Sequence, residues 1–296
     1  MAAFVGVDWG TTRLRAHAMD ENGAVVGTVE TGEGLMAARP DGFSGALTRA
    51  LEQLDVTGLP VVMSGMVGSR QGWVEAPYAD CPASFAAIAD HAVAAPFEGA
   101  DVHILAGVAQ GRDQSAPPDV MRGEETEIVG AMSALGVADG VFVLPGTHTK
   151  WASVEDGRIT GFRTFMTGDV FAALKGHTVL SAMMGQPTDW AAFEAGVTAP
   201  PIMLGDAMAE FFSLRAEALL VGSNPDASAS RLSGRLIGAE IASALGEHDR
   251  PILVGSGVVR GAYERAFAVL GHEVVHAPRD CAARGLALAA RYWGWI

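Results

Sequence analysis

The chain has 296 residues, 49% of them hydrophobic and 18% charged, enough for one large α/β domain or two ordinary ones and too apolar for a disordered chain. Its net charge of −14 argues against a general nucleic-acid or anionic-membrane surface, while a local cationic cluster or a divalent ion would still admit an anionic small substrate. Two distant cysteines, Cys81 and Cys281, argue against a disulfide framework, and no uncharged apolar run reaches the roughly 18 residues of a membrane span. The expectation is a cytoplasmic protein without a signal peptide, with no nucleic-acid or membrane partner; homo-oligomerisation is left open.

In chain order, apolar spacing predicts strands over 3–8, 14–19 and 25–31, with Asn22-Gly23 as a hairpin signal between the last two. A helix over 42–54, a strand over 60–64, a helix over 83–93, a strand over 101–106 and a helix over 124–135 follow. A second series starts near 140, with strands over 141–145, 149–154 and 158–166. Helices over 169–181, 206–220 and 230–245 come next. Buried strands in 251–257 and 272–278 and a closing helix from Cys281 complete the chain. The two series share a βββαβαβα order with little identity between them. They predict a duplicated, two-lobed α/β protein with lobes 1–138 and 139–296, an interdomain cleft, and a terminal helix packing back on the first lobe.

Asp8 ends the first strand and is followed by "WGTTRLR", a turn of one glycine and two hydroxyls. Read alone, this is a capped hairpin. Its residue types also suit chemistry: Gly10, Thr11 and Thr12 offer N–H and hydroxyl groups to phosphate oxygens, and Asp8 offers a hard carboxylate to Mg2+. "LPGTHTKW" at 144–151 is a related turn, in which Gly146, Thr147 and Lys150 would serve the same phosphates. Glu124, Glu125 and Glu127 crowd the first turn of the helix in "VMRGEETEIVGA". They answer the helix dipole, or else Glu124 or Glu125 supplies a general base or metal ligand. "PILVGSG" puts Gly255, Ser256 and Gly257 in a strand-to-helix turn that misses the dinucleotide fingerprint by one residue, and no P-loop pattern occurs. The loop "SGMVGSRQGWVEAPY" offers Gly65, Met66 and Trp73 to a substrate, and "FRTFMTGD" offers Thr167 and Asp169. His148 and His177 have no partner at metal or triad spacing and are read as structural.

Together these motifs resemble the actin–Hsp70–sugar kinase superfamily. The ordered set "DWGTTRLR", "SGMVGSRQGWVEAPY", "VMRGEETEIVGA", "LPGTHTKW", "FRTFMTGD" and "LIGAEIAS" resembles, over nearly the whole chain, the bacterial 2-dehydro-3-deoxygalactonokinases. The resemblance implies an actin-like, ribonuclease H-like duplicated fold. It further implies ATP and Mg2+, and phosphorylation of a sugar acid at its 6-hydroxyl in galactonate breakdown. By motif it places Asp8 at the metal and Thr11 and Thr12 near the transferred phosphate. Gly146 and Thr147 fall near the donor phosphates, and Gly255 and Gly257 against adenosine. Glu124, with Glu125 as alternate, takes the place of the aspartate that sugar-kinase relatives use. Arg15 leads the candidates for the substrate carboxylate, with Arg13 and Arg70 beside it. Rival readings are a kinase for the gluco epimer, another sugar acid or pantothenate, a phosphate-ester hydrolase, and an actin-like ATPase switch.

Overall fold

The computed structural model of the chain describes residues 1–38, 42–114, 116–199, 204–246 and 250–296. Two compact units result: one of Met1–Gly140, Ala152–Phe162 and Ala277–Ile296, the other of Val141–Trp151 and Arg163–His276. The first half of the chain runs β1 (Phe4–Trp9), β2 (Leu14–Met19), β3 (Val25–Thr31), α1 (Leu35–Ala38), α2 (Gly42–Gln53) and β4 (Val61–Gly65). After a 3-10 turn at Met66–Gly68 come β5 (Tyr78–Asp80), β6 (Ala83–Ser84), α3 (Phe85–Asp90), β7 (Val93–Ala94), β8 (Val102–Ile104), β9 (Gly107–Gln110), β10 (Asp119–Met121) and α4 (Glu124–Leu135). The second half runs β11 (Gly140–Leu144), β12 (Thr149–Glu155), β13 (Arg158–Phe165), α5 (Thr167–His177), α6 (Trp190–Val197), α7 (Leu204–Leu220) and α8 (Pro225–Ala244). It closes with β14 (Ile252–Leu253), α9 (Gly257–Val269), β15 (Val275–His276) and α10 (Cys281–Tyr292).

One six-stranded sheet has the order β3-β2-β1-β4-β8-β7 and the other β15-β14-β11-β12-β13-β6. Stripped of their last-named strands β7 and β6, the two read as the same order, a meander followed by two parallel additions. β1 lies antiparallel to β2 and parallel to β4, and β14 lies parallel to both β11 and β15.

In the first unit, β1 is buried nearly throughout, as a central strand with Phe and Val at its inward positions should be. Helix α2 turns Ala46, Leu47, Ala50 and Leu51 inward onto Val5, Val7, Val61 and Met63. Helix α10 packs on α4 at very short range. A Cβ on Gly130 would fall 1.9 Å from the carbonyl of Cys281, and one on Gly285 would fall 2.1 Å from that of Thr126. The second unit is built on Val143, Trp151, Phe193, Ile237, Ile241, Leu253, Tyr263 and Phe267. Its long helix α8 starts with Asn224 accepting from the Asp226 amide and with Pro225 at the first turn.

The predicted strands at 14–19 and 25–31 and the helix at 124–135 form with those bounds. Others contract: the strands expected within 251–257 and 272–278 are the pairs Ile252–Leu253 and Val275–His276. The helix expected over 83–93 contracts to α3, with the short strands β6 and β7 at its two ends, and β5, β9, β10, α1 and α6 carried no periodic signal. β5, β9 and β10 form a separate three-stranded sheet, in which a run of three or four residues becomes a strand only because a distant run pairs with it.

Candidate active site

In the first unit, β1 carries Asp8 opposite Arg15 on β2 and beside Ser64 on β4. Burial lifts the Asp8 carboxyl above the usual carboxylate range; the Arg15 charge opposes the shift and that of Glu30 adds to it. The next residues of β4 and the start of α4 meet backbone to backbone. Gly65 has φ +96° and a Cβ there would lie 2.7 Å from the Trp9 carbonyl oxygen; Gly123 has φ +106° and its Cβ would lie 3.2 Å from the Gly65 Cα. This contact sets the acidic first turn of α4 against the end of the central sheet. Glu125, 1% exposed, accepts from the Gly123 amide at 2.7 Å and the Thr126 hydroxyl at 3.0 Å, and burial beside Glu124 pushes its carboxyl up to about 7. Glu124 accepts from the Arg122 amide at 2.9 Å. Glu127 is pushed up to about 8 by burial and then by the charges of Asp8, Glu124 and Glu125, with Arg15 working against them. Four carboxyl groups from two elements thus share one electrostatic field.

The turn after Asp8 closes through the Gly10 amide on the Arg13 carbonyl at 2.9 Å and leaves Thr11 and Thr12 exposed. Arg13 and Arg15 both bind Glu30, at 3.0 and 2.8 Å. The loop after β4 is pinned by Arg122. Its Nη2 donates to the Ala76 carbonyl at 2.7 Å and its guanidinium lies 4.3 Å from the Tyr78 ring centroid. Arg122 Nε and Nη1, Ser64 Oγ and Ser69 Oγ are buried without a partner among the described residues. Met66 opens the 3-10 turn at the start of this loop. Trp73 is half-buried; it stacks on Phe43 at 6.2 Å and meets Phe97 edge-on, so its ring packs against the core of the unit. Arg70 reaches Glu75 at 3.5 Å and lines a cavity of about 880 Å3 with Tyr78, Gln110 and Arg112.

In the second unit, the turn between β11 and β12 rests on the first turn of α5. The Asp169 amide donates to the Thr147 carbonyl at 3.2 Å, and His148 Nε2 meets Asp169 Oδ2 at 2.6 Å. A Cβ on Gly168 would lie 2.8 Å from both the Gly146 carbonyl oxygen and the Thr147 Cα, so only glycine allows this approach. Thr147 is exposed. Lys150 is buried and donates to Thr164 Oγ1 at 2.8 Å. Thr167 turns its hydroxyl inward to Glu240. Gly255 and Gly257, with φ +93° and +82°, flank Ser256 in an open turn whose Gly255 carbonyl accepts from Arg260 at 2.8 Å.

A family model described as 2-keto-3-deoxy-galactonokinase matches residues 8–289. The chain belongs to the 2-keto-3-deoxy-galactonokinase family. Curated relatives agree. A Rhizobium meliloti (strain 1021) protein named for 2-dehydro-3-deoxygalactonokinase is 41% identical over 297 residues, 97% of this chain and 96% of that one. The Escherichia coli (strain K12) 2-dehydro-3-deoxygalactonokinase is 32% identical over 299 residues, covering 95% and 94%. A crystal structure from Sinorhizobium meliloti assigned the same name superposes with a TM-score of 0.91 at 40% identity, covering 99% of this chain and 97% of that one. An activator of 2-hydroxyisocaproyl-CoA dehydratase from Clostridium difficile, 12% identical, shares the fold with a TM-score of 0.53 over 100% of this chain and 98% of that one. The chain is a carbohydrate kinase of this family with the actin-like ATPase and sugar-kinase fold.

For a member of the 2-keto-3-deoxy-galactonokinase family, the sequence motifs sort into two local groups. Asp8, Glu124, Glu125 and Gly65 share one neighbourhood in the first unit. Gly146, Thr147, Thr167 and Asp169, which the sequence divided between phosphate and substrate, lie together in the second. Two residues enter to which the sequence reading gave no part in the site. Glu127 lies in the field of Asp8, as the i+3 spacing from Glu124 allows. His148, read as structural, is the partner of Asp169, and nothing in the spacing of 21 residues signals it.

Proposed function

We propose that this chain transfers the γ-phosphoryl group of ATP to the 6-hydroxyl of 2-dehydro-3-deoxy-D-galactonate, as a cytoplasmic step of galactonate breakdown. The observation that carries the reading is the family match over residues 8–289, which spans both the Asp8 cluster and the Gly146–Thr147 turn.

The acidic cluster fits a magnesium ion. Among the described residues no three His, Cys, Asp or Glu side chains are grouped to cage a metal. Magnesium bound alongside a nucleotide needs only one or two carboxylates, with phosphates and water completing its shell. Glu127, raised by burial and then by the charges of Asp8, Glu124 and Glu125, sits in a negative field that a cation would relieve. Asp8 would hold the ion, which when bound supplies positive charge to the donor phosphates.

The protein's own groups do the rest by placement and electrostatics. The exposed turn at Gly10, Thr11 and Thr12 offers amides and hydroxyls to phosphate oxygens. In the second unit, the Gly146–Thr147 backbone offers the same, and the open turn at Gly255–Gly257 admits an adenosine. Glu124 would take the proton of the attacking hydroxyl. Glu125 is the weaker alternate, because both of its oxygens already accept hydrogen bonds in the buried first turn of α4.

The test is a coupled kinase assay over a panel of sugar acids with MgATP, including the gluco epimer and pantothenate. Preferential turnover of the galacto acid supports the reading; preference for another acceptor, or phosphate release independent of any acceptor, overturns it.

A further inference from the structure

Helix α8 carries a buried acid, Glu240, among Ile237, Ile241 and other core residues, and it is 3% exposed. A carboxylate in such a place costs several kcal/mol unless donors surround it. Here they do. Trp151 Nε1 on β12 donates at 2.7 Å, Tyr263 Oη on α9 at 2.7 Å, and Thr167 Oγ1 on α5 also donates to it. Tyr263 Oη lies 2.8 Å from Thr149 Oγ1, so the network reaches back to the first residue of β12. All its members lie in the second unit.

The donors come from both sides of one feature. Thr149 and Trp151 follow the Gly146–Thr147 turn directly, and Thr167 opens the helix whose first turn receives it. Between these anchors the contacts are already close-packed: the Asp169 amide sits on the Thr147 carbonyl and Gly168 has no room for a Cβ. A small shift of α5 against β12 would therefore pass straight into the turn. An apolar side chain at position 240 would fill the space but fix neither Thr167 nor Tyr263.

We propose that Glu240 is a positioning residue for the nucleotide-phosphate turn, its buried carboxylate locking the start of β12 to the first turn of α5 and so setting the Gly146–Thr147 backbone. The proposal rests on reading that turn as a contact for the donor phosphates. It assigns Thr167 to the same lock in place of a direct contact with the sugar acid.

The test uses the full chain with Glu240→Gln, Glu240→Asp and Thr167→Val, reading KM for MgATP, KM for the sugar acid and thermal midpoint. Glu240→Gln turns one acceptor into a donor facing donors. KM for MgATP should rise about tenfold, the effect expected of a small misplacement, with KM for the sugar acid within about twofold. Thr167→Val, which removes one arm only, should move the same constant in the same direction by less. A merely structural role would lower Vmax with the folded fraction and leave both KM values in place, and that result overturns the proposal. So does a rise in sugar-acid KM with Thr167→Val. Calorimetric titration of MgATP separates this from the activity reading: if the wild-type chain phosphorylates no sugar acid, weaker nucleotide binding by Glu240→Gln still supports the lock. Equal binding, or a wild-type chain that binds no nucleotide, overturns it.

Discussion

Asp169 meets the Gly146–Thr147 turn twice, through its amide on the Thr147 carbonyl at 3.2 Å and through its carboxylate on His148 at 2.6 Å. The first contact belongs to any residue at that position, whereas the second depends on the side chain. Asp169→Asn should keep the helix and loosen His148, lowering kcat/KM for MgATP by about tenfold with little change in thermal midpoint. Steady-state kinetics beside a melting curve checks both, and unchanged kinetics would leave the His148–Asp169 contact without a part in nucleotide handling.

Asp8→Asn removes the charge at the end of β1 and relieves part of the repulsion that lifts Glu127. The variant should be folded and at least as heat-stable as the wild type without nucleotide, yet lose on the order of 10^3-fold or more in turnover, the loss expected when charge stabilisation of phosphoryl transfer fails. Near-normal turnover at saturating Mg2+ would remove Asp8 from the metal.

Glu125 and Glu127 give the nucleotide-free protein a particular pH dependence. Their folded values, about 7 and about 8, lie above the ordinary 4.5, so the folded state binds protons that the unfolded state has released. Their stabilising contribution is complete below about pH 4.5 and lost as pH rises through 7 and 8, with a slope of up to about 1.4 kcal/mol per pH unit for each group. Denaturant titrations between pH 5 and 9 should show this decline, and Glu127→Gln should flatten it.

Arg122 holds the loop between β4 and β5 through the Ala76 carbonyl and the Tyr78 ring. Arg122→Met should cost about 1.5–3 kcal/mol, the scale of a buried hydrogen bond to a charged group. It should also raise KM for the sugar acid more than KM for MgATP. Arg122→Lys keeps the charge but not the planar fork, and should recover little of either.

Gly65 tests the backbone contact with Trp9. Gly65→Ala forces a Cβ to within 2.7 Å of the Trp9 carbonyl at a φ of +96°, and should destabilise the chain by about 1–3 kcal/mol. A melting shift near zero would mean that the end of β4 can yield.

Much of this site is legible in the sequence where chemistry and local pattern coincide. Asp8 closes an apolar run, Asn22-Gly23 fixes the hairpin behind it, and the three glutamates of α4 stand within one turn of sequence. What escaped depends on contacts between distant residues. Lys150 looked like a phosphate ligand, but its place in β12 buries it against Thr164. Arg15 looked free for a carboxylate, but strand register sets it across from Glu30. Trp73 sits in an apparent loop, yet Phe43 and Phe97 hold its half-buried ring against the core. Glu240 left one trace, a lone acid between Ile237 and Ile241, and its meaning appears only when Trp151, Thr167 and Tyr263 converge on it.

The close packing of α10 on α4 bears on how the chain is made. Gly130 and Gly285 admit a contact that only residues 277–296 can complete, and those residues are translated after every residue of the second unit. The unit begun first is therefore the last to finish. On the ribosome, the second unit's sequence is fully synthesised before α10 exists to cover Gly130 on α4.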